Sequence, residues 1–257
     1  MISDKAVISP NAKIGSGVTI YPFAYIEDDV VIGDDCVIYP FVSIMRGSTL
    51  GKGNKIHQGT VIGAIPQDFN YKGDMTRVEI GENNIIRENV VINRATFKEG
   101  ITRVGNRNFI MEGVHISHDC TIGDNCVFGY GTKIAGDTEF HNSVILSSNV
   151  IVNPGVRVGI AAMISSGCRI SKDVPPYIVA NGNPVKYSGL NSQVLSNHGV
   201  DQKTQNHIAN AYRLIFHGQT SVFDAVMQVE QQVPDGDEVR NIVSFIRATK
   251  LGIISKL

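Results

Sequence analysis

Residues 104–140 read VGNRNFIMEGVHISHDCTIGDNCVFGYGTKIAGDTEF. Counting in sixes from Val104 lands on Ile110, Ile116, Ile122, Phe128, Ile134 and Phe140, none of them polar. The step continues through Leu146, Val152, Val158 and Ile164 to Ile170. Upstream it runs from Ile8 to Ile62, and again over Ile80, Ile86 and Ile92. A second position, four residues after each large one, is small or compact: Val114, Cys120, Cys126, Thr132 and Thr138 in this stretch. Glycine follows the aliphatic at Gly15, Gly33 and Gly51 and at Gly105, Gly123 and Gly159, at intervals of 18 or a multiple of it. Three hexapeptides therefore make one coil with three flat sides, the pattern of a parallel β-helix of triangular section. Coils stacked at about 4.8 Å, about eight of them, give a prism roughly 40 Å long.

The large and small positions point inward and fill the prism. All four cysteines, Cys36, Cys120, Cys126 and Cys168, take the small position and read as compact core residues without a CxxC pair. Two segments leave the register, 64–77 (AIPQDFNYKGDMTR) and 93–103 (NRATFKEGITR). Excursions of this length on a rigid scaffold often carry function. The repeat ends near Asp173-Val174-Pro175-Pro176, where two prolines cannot continue a ladder, and 181–184 reads as a turn-rich linker.

Beyond it the period becomes helical. Asp201 caps a helix to His217, which Gly218 stops. Ser221 caps a second, with Val222, Phe223, Val226 and Val229 inward, and a third runs over 237–249 after a Pro234-Asp235-Gly236 turn. The chain thus divides into a β-helix over 1–190 and a small helical domain over 191–257, whose apolar stripe packs on the prism or on a neighbouring subunit.

With 257 residues, 42% hydrophobic content and a net charge of −1, nothing draws the chain to nucleic acid. No apolar run reaches the roughly 20 residues of a membrane span, so no stable membrane insertion is expected. The start, Met1-Ile2-Ser3-Asp4-Lys5, lacks a signal-peptide pattern, and a cytoplasmic location is expected.

The repeat also orients the polar residues. His118 lies two places after inward Ile116 and points outward, as does His115. Asp119 is adjacent, and 18 residues on stand Gly136 and Asp137. This suits His118 as a general base, Asp119 as the group that fixes its tautomer, and the Gly136 N–H as donor to a developing oxyanion. A metal site needs three ligands. His115 and His118 give two and His141 falls elsewhere in the repeat, so none is expected. A flat wall is not a cleft. Prisms packed side by side around a three-fold axis supply one, so a homotrimer with sites between subunits is expected.

Several stretches resemble a known family: Gln67-Asp68 with Tyr71, Thr76-Arg77-Val78-Glu79-Ile80-Gly81, His115-Ile116-Ser117-His118-Asp119-Cys120, Asp173-Val174-Pro175-Pro176-Tyr177, Asn191 and Asn210-Ala211-Tyr212-Arg213-Leu214-Ile215. They resemble the hexapeptide-repeat acyltransferases, and more narrowly the acyl-carrier-protein–UDP-N-acetylglucosamine O-acyltransferases of lipid A assembly. The resemblance covers nearly the whole chain. It implies an all-β left-handed parallel β-helix followed by a small α-helical C-terminal domain, an exception to the usual right-handed crossover. It implies transfer of a 3-hydroxyacyl chain from acyl carrier protein to the 3-hydroxyl of the UDP-sugar, with no metal and no cofactor beyond the donor. His118, Asp119 and Gly136 would be the catalytic set. Gln67, Asp68, His115, Asp137, Asn153, Asn191, Gln193, Asn197 and His198 would contact the sugar nucleotide, and Met163 and Ser166 would limit acyl-chain length.

There are departures. Asp137 and Asn153-Pro154 replace a histidine and a histidine-glutamine pair of the family, Asn70 a lysine, and Gln193, Asn197 and His198 charged nucleotide contacts. Two alternatives follow: the same chemistry on a 3-amino sugar nucleotide, or a non-catalytic trimeric scaffold. Lys72, Arg77, Arg103 and Arg107 are candidate contacts for an acidic carrier protein.

Overall fold

The computed structural model describes residues 1–255. Each six-residue step becomes one short strand, from β1 (Val7–Ile8) to β25 (Arg169–Ile170). Most are two residues long, because the third residue after each inward aliphatic turns the chain. That corner residue is left-handed, with φ 59° at Asp119, 58° at Asn125 and 60° at Asp137. Asp and Asn tolerate this conformation better than other side chains, which explains their recurrence at corners.

Strands of successive coils pair in parallel: His115 lies beside Val91 on one flank and Lys133 on the other. Among the described residues this makes three sheets of 9, 8 and 10 strands. We term them the first, second and third sides, in the order in which each coil visits them. The triangular prism expected from the period is what forms.

The inward aliphatics are buried throughout, and Phe128 meets Phe140 edge-on at 5.1 Å. The four cysteines are buried thiols, and burial pushes Cys120 to about 11 and Cys126 to about 12. One column of small positions is polar instead. Asn54, Asn84 and Asn108 are buried one above another. Asn84 Nδ2 donates to Asn54 Oδ1 at 2.9 Å, Asn108 N to Asn84 Oδ1 at 2.8 Å and Cys126 N to Asn108 Oδ1 at 2.7 Å. The ladder satisfies corner N–H groups that strand pairing leaves over.

The two excursions are shorter than the register break suggests. The strands around them lengthen to β10 (Val61–Ala64), β11 (Arg77–Ile80) and β14 (Ile101–Val104). Arg77 pairs with Ile101 and Val78 with Thr102, so the second side keeps its ladder and only 65–76 and 94–100 leave it. Both depart at the edge between the first and second sides.

After β25 the third side continues into β26 (Ile178–Asn181) and folds back, antiparallel, as β27 (Lys186–Leu190). Residues 182–185 are therefore a hairpin turn rather than an open linker. A short helix absent from the sequence reading, α1 (Ser192–Asn197), precedes α2 (Gln202–His217), α3 (Val222–Gln232) and α4 (Asp237–Arg247). Asp201 and Ser221 cap as expected, accepting from Thr204 N and Asp224 N. Phe223 does not face inward: it is 62% exposed, because the buried stripe runs through Ala225, Val226 and Val229 and passes beside it. The helices lie on the prism, with buried Tyr212 Oη donating to Pro176 O at 2.5 Å and Asn241 Nδ2 to Tyr177 Oη at 2.9 Å.

Asn84→Ala removes the acceptor of the buried Asn108 N–H. It is expected to lower the unfolding free energy by about 1–3 kcal/mol, read from a urea titration.

Candidate active site

Three features of separate coils meet on one edge. The excursions follow β10 and β13 (Val91–Asn93), and His118 follows β16 (His115–Ile116), before β17 (Thr121–Ile122). These first-side strands are consecutive neighbours. Sequence positions 68, 96 and 118 are thereby brought to one place.

His118 is the centre. Its Nδ1 lies 2.8 Å from Asp119 Oδ2. An ionised carboxylate only accepts, so Nδ1 carries the proton and Nε2 keeps its lone pair. Asp119 is itself held: its carboxylate accepts from Thr96 N at 3.2 and 3.1 Å, and its own N–H donates to Thr102 Oγ1 at 2.9 Å. On the far side of the ring, Asp68 Oδ2 stands 3.5 Å from Nε2. The imidazole is thus flanked by two carboxylates, Asp119 at Nδ1 and Asp68 at Nε2.

Gly136 lies directly above, one coil on. A Cβ there would sit 2.3 Å from His118 Cε1, so glycine is required by the close approach of the ring rather than by backbone conformation. Among the described residues its N–H has no acceptor and is free to donate to a bound group. Asp137 follows, donating its N–H to His118 O at 3.2 Å. Desolvation, then the neighbouring Asp119 and Asp68, raise its carboxyl above the usual range, while His118 opposes the shift. His115 lies on the first side with Nε2 3.1 Å from Ser117 Oγ, and burial, Lys133 and His118 lower its pKa. Among the described residues no three His, Cys, Asp or Glu side chains are grouped to hold a metal ion.

Comparison with known proteins agrees with the fold. The model of the second domain of UDP-N-acetylglucosamine O-acyltransferases matches residues 173–254, and that of the bacterial transferase hexapeptide matches 29–64 and 101–136. The chain is 36% identical over 253 residues to the acyl-[acyl-carrier-protein]–UDP-N-acetylglucosamine O-acyltransferase of Thermodesulfovibrio yellowstonii, covering 98% of each. The chain belongs to this acyltransferase family. Its fold superposes with a TM-score of 0.97 on a UDP-N-acetylglucosamine acyltransferase of Bacteroides fragilis, at 48% identity over 99% of this chain and 100% of the other. For that of Francisella novicida the TM-score is 0.96, at 35% identity over 100% and 94%.

Not every sequence-derived candidate of this acyltransferase gathers at His118. Gln67 is exposed on the first excursion beside Asp68. Asn153 lies on the first side in the coil above Ala135 and accepts from Arg169 Nε at 3.1 Å. Met163 is on the third side and Ser166 at the corner that leaves it, away from the edge that carries His118. Asn191, Gln193, Asn197 and His198 lie on and around α1, at the edge between the second and third sides. Asn191 is buried there, its amide donating to Ala161 O at 2.9 Å, and Gln193 Nε2 donates to Asn197 Oδ1 at 3.2 Å. Of the candidate carrier contacts, Arg103 faces Glu79 and Arg107 faces Asp124, each at 3.6 Å. Thr96, Thr102 and Arg94 were not legible as site residues, because the excursions break the period that would have placed them.

Asp137→Asn is expected to raise the melting temperature at pH 8. A carboxyl whose folded pKa is raised carries its penalty above that pKa and sheds it towards the unfolded value. The gain should therefore shrink as the pH falls through that window, which a series of thermal melts would follow.

Proposed function

We propose that this acyltransferase moves a 3-hydroxyacyl chain from acyl carrier protein to the 3-hydroxyl of UDP-N-acetylglucosamine, with His118 as general base. The observation that carries the reading is the set of Asp119 on Nδ1, an open Nε2 facing Asp68, and the free Gly136 N–H above the ring. Nε2 takes the hydroxyl proton as the sugar oxygen bonds to the thioester carbonyl carbon. The Gly136 N–H receives the oxyanion of the tetrahedral intermediate. The C–S bond then breaks, and the imidazolium returns its proton to the carrier's sulfur. Asp119 and Asp68 stabilise the imidazolium in between. No cofactor beyond the acyl donor enters this scheme.

The site belongs to a homotrimer in this reading. The outward positions of the third side include Val37, Ile85, Phe109, Val127 and Ile145, and those of the first include Val7, Tyr25 and Val61, whereas the second carries Glu79, Arg103, Glu139 and Arg157. The edge between the third and first sides bears Phe23 and Phe41, 55% and 62% exposed and stacked at 5.3 Å. With that edge on a three-fold axis, the third side of one subunit faces the first side of the next. The edge near α1 then comes beside the neighbour's His118, and Met163 faces the neighbour's cleft. Gln193, Asn197 and His198 serve the nucleotide, and Met163 and Ser166 the acyl chain, across that interface. Light scattering should give three chain masses in solution, and a monomer would overturn this arrangement. Met163→Ala should shift the preference towards longer acyl chains.

A second reading has a 3-amino sugar nucleotide as acceptor. Asp68 and Asp137, around the His118-Asp119 pair, give the site a negative field that draws an ammonium group.

The test is acyl transfer from 3-hydroxyacyl carrier proteins of several lengths to UDP-N-acetylglucosamine and to its 3-amino analogue. Robust turnover of the former, falling by about 10²-fold or more in His118→Ala, is expected. Gly136→Ala, which forces the ring aside, should lose at least as much. Turnover of the amino analogue alone would select the second reading, and no turnover of either from folded protein would overturn both.

A further inference from the structure

We propose that Arg94 is a positioning residue: through Tyr71 it sets where Asp68 stands against His118, a role that rests on the acyl-transfer reading above. Arg94 is only 6% exposed. Its Nη2 donates to Tyr71 Oη at 2.9 Å and its Nη1 to Arg46 O at 3.4 Å, and its guanidinium carbon lies 5.9 Å from the Tyr71 ring centroid. Nε is buried without an acceptor. Among the described residues Arg94 makes no ion pair. Burying a guanidinium with no carboxylate beside it is costly, and an apolar side chain would fill the space better. Packing of the prism does not account for it.

What it grips explains it. Tyr71 closes a tight turn on Asp68: Tyr71 N donates to Asp68 O at 3.2 Å, and Asn70 N to Asp68 Oδ1 at 2.6 Å. The other oxygen of Asp68 is the one that faces His118 Nε2. The segment around Arg94 also fixes both ends of that excursion. Asn93 Nδ2 donates to Ile65 O at 2.8 Å, Arg94 N to Ala64 O at 3.0 Å and Ala95 N to Arg77 O at 3.2 Å. Two residues on, Thr96 N holds the Asp119 carboxylate. One brace, 93–96, therefore sets both carboxylates that flank the imidazole. Asp119 is reached through the backbone. Asp68 is reached through a side chain, Arg94, so only that arm can be cut by substitution.

The test combines two measurements on the full chain, with Arg94→Met and with Tyr71→Phe, a change of one oxygen that leaves the ring in place. The first is amide hydrogen exchange. Exchange over 65–76 should speed up by about tenfold or more in both variants, while the strands from β15 (Phe109–Ile110) onward keep their protection. The second is a double-mutant cycle with Asp68→Asn. Arg94→Met should lower kcat/KM for the sugar nucleotide by about tenfold or more in the native background and hardly at all in Asp68→Asn. Both results are required. Unchanged exchange, or an equal loss in the two backgrounds, would overturn the role and leave Arg94 a packing residue. Should Arg94→Met fail to fold, Tyr71→Phe runs through the same pair of measurements. If the wild type turns over no UDP-N-acetylglucosamine, exchange alone decides the positioning, and only the acyl-transfer reading falls.

Discussion

Everything in this molecule depends on the coil-to-coil hydrogen-bond ladder. His115 N donates to Thr132 O at 2.9 Å, Ser117 N to Ile134 O at 3.0 Å and Thr121 N to Thr138 O at 2.9 Å, one coil to the next. A single extra residue inside a strand would turn its inward side chain outward and break the pairing on both flanks. Added chain can leave only at a corner and must return in register. This is why the strands bordering the excursions lengthen to keep their partners, and both excursions leave at the corner that also carries His118.

The same rigidity accounts for the unusual chemistry tolerated there. A histidine ring rests against the backbone of Gly136, and Asp68, Asp119 and Asp137 crowd around it. Of the five buried side-chain polar atoms lacking a partner among the described residues, Thr76 Oγ1, Arg94 Nε and Thr96 Oγ1 belong to the two excursions and Asn93 Oδ1 ends the strand that leads into the second. The fifth is Asn108 Nδ2, in the ladder from Asn54 to Cys126, where the side-chain oxygens all find partners but this amide nitrogen does not. Unmet polar groups and like charges concentrate where an ordered scaffold can hold them, and the scaffold's own stability does not come from them.

The three sides divide the remaining tasks. The charged second side binds its own helical domain, where Arg157 stacks over Phe245 at 4.5 Å, and its end is tied by the buried Asp173 carboxylate, which accepts from Arg157 N and Thr249 Oγ1. The first and third sides carry the apolar outward columns. In the homotrimer proposed above, these two sides would form the heterologous contact that closes around a three-fold axis.

The prism, its three sides, the inward columns and the outward direction of His115 and His118 follow from the sequence, since a strict period assigns each residue to a side. Gly136 above His118 follows too, because the coil length is fixed at 18 wherever the register holds. The helix caps at Asp201 and Ser221 were legible because capping is local. The asparagine column was not, because polar residues at inward positions look like faults in the pattern until their partners one coil away are known. Phe223 was misplaced because a helical stripe a single residue wider fits the same spacing. Only the tertiary structure decided the grip of Arg94 on Tyr71, the hold of Thr96 on Asp119 and the stance of Asp68 at Nε2. These residues lie in the excursions, where the period stops, and long-range contacts between aperiodic segments leave no spacing to read.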